Sequence, residues 1–274
     1  MSQTTKIAFI GGGNMARALG EGILASTSSP QSLVVLERYE QAAQVWRDLG
    51  VDVLTTPNEQ LSACHVWIYA VKPQDMQQVV QVTKPYLQSD TLVISIAAGL
   101  EVATLEKWLN HPYIIRTMPN TPAFVRKGCT GLYATPAVKQ SDVILAKSLL
   151  QSVGIVTQVE QEALLDAITG LSGSGPAYVF LFIEALIEGG IKLGLAPEEA
   201  KALAIQTVLG AAILADQSDV EPAQLRQNVT SKGGTTAAAL DYFKQQEFEE
   251  IVAQAMQAAT LRAKELSTQL SKAS

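Results

Sequence analysis

The sequence predicts an α/β protein in two parts: a parallel sheet covered by helices over residues 1–162, and an all-helical domain over residues 163–274. Three observations predict it. Short β-branched runs alternate with polar helical stretches through roughly the first 165 residues, strand-like runs stop after about Val159, and long Ala- and Leu-rich segments follow. Alternation at this spacing belongs to βαβ units, whose crossovers make parallel neighbours. With 274 residues and 47% hydrophobic content, the chain supplies a core for two ordinary domains without covalent staples.

The strands read in order as KIAFI (from Lys6), SLVVLE (from Ser32), HVWIYAV (from His65), TLVISIA (from Thr91), YIIRTM (from Tyr113) and GIVTQV (from Gly154). Helical patterns such as Met15 to Ser26 and Gln74 to Tyr86 lie between them. In the second part a helix runs from Pro176 to about Leu193. The next starts at Pro197, where a first-position Pro and the acidic Glu198 and Glu199 suit the helix dipole, and reaches about Ala215. A third opens near Thr235, and the last covers roughly Phe248 to Ser267. Ala200, Ala202, Ala204, Gly210, Ala211, Ala212 and Ala215 keep the Pro197 helix slim enough for close helix–helix approach, and packing against a second copy of the chain is expected. No internal repeat or low-complexity linker is visible.

Bulk chemistry excludes several classes. Asp and Glu total 26 against 20 Lys and Arg, a formal net charge of −6, with no basic block; a nucleic-acid partner would need Lys and Arg to neutralise phosphates. Cys64 and Cys129 stand far apart with no spaced partner, which supports neither zinc nor a disulfide framework. The N-terminal apolar run enters a glycine loop instead of a cleavage site, so no signal peptide is expected. The longest later apolar run, Ala177 to Ile183, is broken at Glu184 and Glu188 and falls short of a membrane span. A reducing cytoplasm is the expected location.

The loop after the first strand carries the first motif. Ile10-Gly11-Gly12-Gly13-Asn14-Met15 holds Gly11, Gly13 and Ala16 in GxGxxA spacing between a strand and a helix. The first Gly permits the tight turn, the second lets a pyrophosphate approach the backbone, and the small third residue lets helix and strand pack, with helix N–H groups facing the phosphates. This is a Rossmann-like dinucleotide-binding signature. The second strand ends in Glu37-Arg38, which point opposite ways: a carboxylate suits the ribose hydroxyls of NADH, whereas a guanidinium suits the 2′-phosphate of NADPH. NADPH is the expected cofactor, with NADH possible.

Ala70-Val71-Lys72-Pro73 and Met118-Pro119-Asn120-Thr121-Pro122 follow strands, where open α/β sheets bind ligands. Asn and Thr there offer groups to a carboxamide, although ordinary turn chemistry explains them as well. In the second part, Asn228 to Thr236 (NVTSKGGTT) runs into a helix and presents small hydroxyl and Gly residues to an anion such as a carboxylate; an ordinary Thr cap is the alternative.

Taken together, GGGNMA, AVKP, SIAAG, IRTMPNTPA, LSGSGPAY and VTSKGGTT resemble the motif series of the pyrroline-5-carboxylate reductases, in order and in spacing, over roughly residues 5 to 270. The resemblance implies a C-terminal dimerisation domain that interleaves with a partner chain, often within a pentamer of dimers, and reduction of 1-pyrroline-5-carboxylate to L-proline, the last step of proline synthesis. It places phosphates on Ile10 to Met15, the ribose 2′ side near Arg38, and the nicotinamide half on Ala70 to Pro73, on Ile96, Ala97 and Ala98, and on Pro119, Asn120 and Thr121. It places substrate on Ser231, Gly233, Gly234, Thr235 and Thr236, partly from the partner subunit, with Asp219 as an acidic gate. Three residues depart from the pattern: Lys232 stands where Pro is usual, His65 where Asp is common, and Glu37 where an uncharged residue is usual. Lys232 loosens the substrate loop or sets a cation beside the carboxylate.

Reducing C=N needs hydride on carbon and a proton on nitrogen, and a protonated iminium already carries that proton. A chain whose two histidines, His65 and His111, lie outside the motif loops suits this chemistry by positioning, with the Thr236 hydroxyl on the ring nitrogen. A β-hydroxyacid dehydrogenase would need a base such as Lys192, and a short-chain dehydrogenase a YxxxK pair that is absent, since Tyr69 and Lys72 are three apart. A cofactor-sensing regulator would bind without turnover.

Overall fold

The structure, a computed structural model, describes residues 5–27 and 29–272. Eight strands form one sheet: β1 (Ile7–Ile10), β2 (Leu33–Leu36), β3 (Asp52–Leu54), β4 (Val66–Tyr69), β5 (Leu92–Ser95), β6 (Ile114–Met118), β7 (Gly128–Ala134) and β8 (Gly154–Gln158), in the order β3-β2-β1-β4-β5-β6-β7-β8. Between and after them lie α1 (Asn14–Thr27), α2 (Glu40–Asp48), α3 (Met76–Thr83), α4 (Val102–Leu109), α5 (Gln140–Gln151), α6 (Leu164–Ile168), α7 (Gly175–Lys192), α8 (Pro197–Asp216), α9 (Pro222–Asn228), α10 (Thr235–Gln245) and α11 (Phe248–Lys272).

The central strands read as unbroken hydrophobic runs because both sheet faces are covered. Ile7, Phe9, Val35, Ile68 and Ile94 face one core with Leu19 and Ile23 of α1, Trp46 of α2 and Val143 of α5. Their alternates Ala8, Ile10, Val34, Trp67, Tyr69 and Val93 face another with Met76 and Val80 of α3 and Leu105 of α4. This period-two division makes a one-residue register slip costly, and the observed pairing sets Phe9 beside Val35 and Ile68.

The expected sheet is corrected in three places. β3 is too short to stand out as a run, and β7, GCTGLYA, is too glycine-rich. β6 and β7 pair antiparallel, because residues 119–127 hold only a tight 3-10 turn and leave no room for a crossover helix. The expected Gln74–Tyr86 helix is α3 flanked by 3-10 turns at Pro73–Asp75 and Lys84–Tyr86, each opened or carried by proline.

The chain divides into two compact units, one running to Ser174 and taking in the end of the chain from Ala258, the other Gly175–Gln257. In the first, Arg116 of β6 is buried; its guanidinium donates to Glu162 Oε1 at 2.8 Å, which also accepts the Val102 N–H at the start of α4. Burial pushes the Asp166 carboxyl up, opposed by Arg116 and Lys264. His111 is buried with Nε2 2.6 Å from the Thr91 carbonyl oxygen, and burial pushes its pKa down; His65 is exposed. Burial pushes the Cys64 thiol up to about 11, and both cysteines are free.

In the second unit, α7 and α8 approach closely where Gly190 faces Ala200: a Cβ on Gly190 would stand 3.2 Å from that of Ala200. Ala200 and Ala204 are buried, while Ala202, Gly210, Ala211 and Ala212 remain exposed. The helical stretch Leu164–Lys192 is 29 residues long and holds an 18-residue window of mean hydropathy 1.4, enough to cross a bilayer by length and composition only. Phe180, Leu181, Leu203 and Leu214 are largely exposed within one copy of the chain, an apolar surface that calls for a covering partner.

Candidate dinucleotide cleft and helix-start loop

β1 and β4 are sheet neighbours whose crossovers run to opposite sides, toward β2 and toward β5, so a crevice opens between their carboxyl ends. The Ala70 N–H donates to the Ile10 carbonyl at 2.8 Å, and the Gly11 N–H to the Leu36 carbonyl at 2.9 Å, which pins both lips. Gly11 has φ +101°, and a Cβ there would stand 2.7 Å from Val71 Cγ1 and 2.9 Å from the Ala70 oxygen. Only glycine fits that turn. α1 starts directly afterwards, so helix geometry leaves the N–H groups of its first turn, at Asn14 and Met15, without intrahelical acceptors.

A cavity of about 390 Å³ lies on one side of the Ala70–Lys72 loop and is lined by Ile10, Gly11, Gly13, Glu37, Arg38 and Tyr39, among others. The Glu37–Arg38 conflict divides cleanly here. Glu37 is 8% exposed and turned inward, accepting the Gly12 N–H at 2.9 Å and the Tyr39 N–H at 2.8 Å. Arg38 is exposed, with its guanidinium 4.8 Å from the Tyr39 ring centre and an N–H on the Tyr39 hydroxyl at 2.8 Å. The cleft therefore offers a cation and an aromatic ring at the end of β2, while the carboxylate is engaged with backbone.

On the other side of the same loop a cavity of about 230 Å³ is lined by Met15, Ala70, Val71, Lys72, Pro73, Ile96, Ala97, Ala98, Met118 and Pro119. The structure thus brings Ile10, Gly11, Gly13, Met15, Arg38, Ala70 to Pro73, Ile96 to Ala98 and Pro119 to one cleft. Gly12 turns away from it. Asn120 is 7% exposed and its amide is engaged, donating to the Ser172 carbonyl at 2.9 Å and accepting the Cys129 N–H at 2.8 Å. Ser172 O is open to that donor because Pro176, four residues on, has no N–H to give it. Asn120 therefore braces the turn; Thr121 opens the 3-10 turn and is exposed. A proline four residues after a carbonyl is a signal that sequence reading passed over.

In the second unit, Gly234 caps α10 with extended backbone and no side-chain hydrogen bond, so the Thr-cap alternative is not what this sequence adopts. Gly233 has φ +72°, and the Gly234 N–H closes a turn on the Ser231 carbonyl at 3.0 Å. A Cβ on Gly234 would meet Ser231 Oγ at 2.4 Å, so the hydroxyl fills the glycine's open side. Thr235 and Thr236 lie in the first turn, where helix N–H groups lack acceptors. Lys232 and Asp219 are exposed, and Lys192 is the last residue of α7.

Two family descriptions match the chain: NADP oxidoreductase, coenzyme F420-dependent, over residues 6–99, and pyrroline-5-carboxylate reductase dimerisation over residues 162–266. The chain is 45% identical to the pyrroline-5-carboxylate reductase of Pseudomonas aeruginosa over 269 residues, covering 97% of this chain and 98% of that one. Among solved structures, a pyrroline-5-carboxylate reductase from Coxiella burnetii matches with TM-score 0.92 and 41% identity, covering 97% and 99% of the two chains. The NADP-bound pyrroline carboxylate reductase of Plasmodium falciparum matches with TM-score 0.82 and 32% identity, covering 96% and 98%.

Proposed function

This chain belongs to the pyrroline-5-carboxylate reductase family, and from that membership we propose that it reduces 1-pyrroline-5-carboxylate to L-proline with NADPH, NADH serving less well. The observation that carries the reading is the chemistry of the 230 Å³ end of the cleft, whose lining is apolar apart from Lys72 and contains no histidine. Such a surface suits an iminium that brings its own proton, and an alcohol substrate would find no imidazole base there. When bound, NADPH supplies the hydride. The residues fit it: Gly11 leaves the space a Cβ would fill, α1 opens toward the phosphates, and Arg38 stands where a 2′-phosphate would come.

The chain's own groups bind and orient. Ile10, Gly11, Gly13, Asn14 and Met15 receive the pyrophosphate, with Gly12 shaping the turn from behind; Ala70 to Pro73, Ile96 to Ala98 and Pro119 flank the nicotinamide, and water is excluded by their apolar side chains. Thr121 and the braced Asn120 hold the neighbouring turn. First-turn N–H groups of α10, with Ser231, Gly233, Gly234 and Thr235, receive the substrate carboxylate, Thr236 hydrogen-bonds the ring nitrogen, and Asp219 acts as the acidic gate. In this reading residues 163–274 form the dimerisation and substrate-binding part, in line with the family match from residue 162, and the protein is a homo-oligomer built of dimers, assembled further into a decamer. Its place is the cytoplasm, where the two free thiols stay reduced.

Purified protein given racemic pyrroline-5-carboxylate should consume the absorbance of reduced nicotinamide, faster with NADPH than with NADH. Turnover of a β-hydroxyacid or semialdehyde instead, with none of the imine, would overturn the reading. Replacing Thr236 by Ala should lower kcat/KM for the imine by about 10- to 100-fold, the worth of a hydrogen bond to a charged group, with NADPH affinity unchanged. An unaltered kcat/KM removes Thr236 from the mechanism.

A further inference from the structure

Gly12, the middle residue of the glycine turn, is held at both ends of its backbone by buried side chains. Its N–H donates to Glu37 Oε2 at 2.9 Å, and its carbonyl accepts the indole N–H of Trp46 at 2.9 Å. Trp46 is fully buried on α2, tilted against Phe9 of β1 with ring centres 5.5 Å apart. A Cβ on Gly12 would stand 2.7 Å from Trp46 Nε1, and one on Gly20 of α1 would stand 2.3 Å from the edge of the same indole. Two glycines, one in the turn and one in α1, thus leave room for one ring. The dinucleotide signature explains Gly11, Gly13 and Ala16; it says nothing about Gly12, Gly20, Trp46 or an inward-turned Glu37.

We infer that Glu37 and Trp46 are positioning residues that clamp the peptide of Gly12 and so hold the glycine turn in its phosphate-binding shape, and that Glu37 takes no part in choosing between the two nicotinamide cofactors. The inference rests on the reading of this cleft as a dinucleotide site. A run of three glycines has the most backbone freedom a chain can have, and freedom lost at the moment of binding weakens binding. Two hydrogen bonds from buried groups move that loss into folding. Glu37 lines the cavity but is only 8% exposed, and each of its carboxylate oxygens already accepts a backbone N–H, Gly12's and Tyr39's, so a ribose hydroxyl would have to compete with the turn for it.

Glu37→Gln and Trp46→Phe test this by calorimetric titration with NADPH and NADH, together with steady-state kinetics. Gln keeps the shape but offers one acceptor where two are used; Phe fills most of the volume but leaves the Gly12 carbonyl without its donor. Each variant should raise Kd and KM for both cofactors by about 3- to 15-fold, the worth of one buried hydrogen bond. The NADPH-to-NADH preference and kcat at saturating cofactor should stay within about twofold. A merely structural role would lower the melting temperature and leave Kd alone, which overturns the inference, as does a Glu37→Gln effect confined to NADH. If Trp46→Phe fails to fold, Glu37→Gln alone still decides. Failure of the native protein to bind either cofactor would instead refute the reading of the cleft.

Discussion

Gly11→Ala is expected to weaken NADPH binding by about 30-fold or more, the largest loss of any single methyl in the cleft. Two costs combine. An L-residue forced into the left-handed region costs about 1–2 kcal/mol, and Gly11 has φ +101°. Crowding a packed site costs about 1–3 kcal/mol more, and the methyl would stand 2.7 Å from Val71 Cγ1 and 2.9 Å from the Ala70 oxygen. The Ala70 carbonyl is backbone, its own N–H tied to Ile10, so the strain is relieved only by moving the Ala70–Lys72 loop, which divides the two halves of the cleft. Titration of the variant with NADPH, beside its thermal unfolding curve, checks this. A folded Gly11→Ala protein with native affinity would show that the dinucleotide does not use this turn. Gly13→Ala gives the contrast: nothing lies within 4 Å of a Cβ there, so any loss reports the approach of the pyrophosphate alone.

Arg38→Ala should lower kcat/KM for NADPH by about 10- to 100-fold, the range for a charge-assisted hydrogen bond, with NADH changed less than about twofold. The asymmetry follows from the end of β2. Arg38 is exposed and lies over the Tyr39 ring at the cavity wall, whereas Glu37 is buried against the backbone and does not become a ribose acceptor when its neighbour is removed. Because the guanidinium is open to solvent, the NADPH advantage of the native protein should shrink as salt rises. Equal losses with the two cofactors would mean that Arg38 shapes the pocket without reading the phosphate.

Several parts of the site were legible because local chemistry alone dictates them. Gly11, Gly13 and Ala16 can be read in GxGxxA spacing since turn, approach and packing each demand a small residue at a fixed distance from a strand. β1, β2, β4 and β5 can be read because a strand covered on both faces has to be apolar throughout. The family itself was legible in its ordered motifs, and the whole-length match bears that out. Less local features escaped. β3 is three residues long and β7 holds two glycines, so neither makes a β-branched run, and the antiparallel β6–β7 pair depends on how little chain joins them. Asn120 reads as a group offered to ligand, yet its amide is taken by Ser172 and Cys129, residues 52 and 9 positions away.

By itself the sequence determined the strand–helix alternation, the glycine turn, the helical second part and the motif series, because each is fixed by neighbours within a few residues or by the periodicity of one element. Only the tertiary structure decided which way Glu37 and Arg38 face, and what fills the space that Gly12 leaves empty. Both answers depend on Trp46, 34 residues beyond Gly12, and on the Gly12 N–H, 25 residues before Glu37. A side chain's partner across such a distance is set by how α2 packs on β1, which burial of apolar surface selects and no local pattern records.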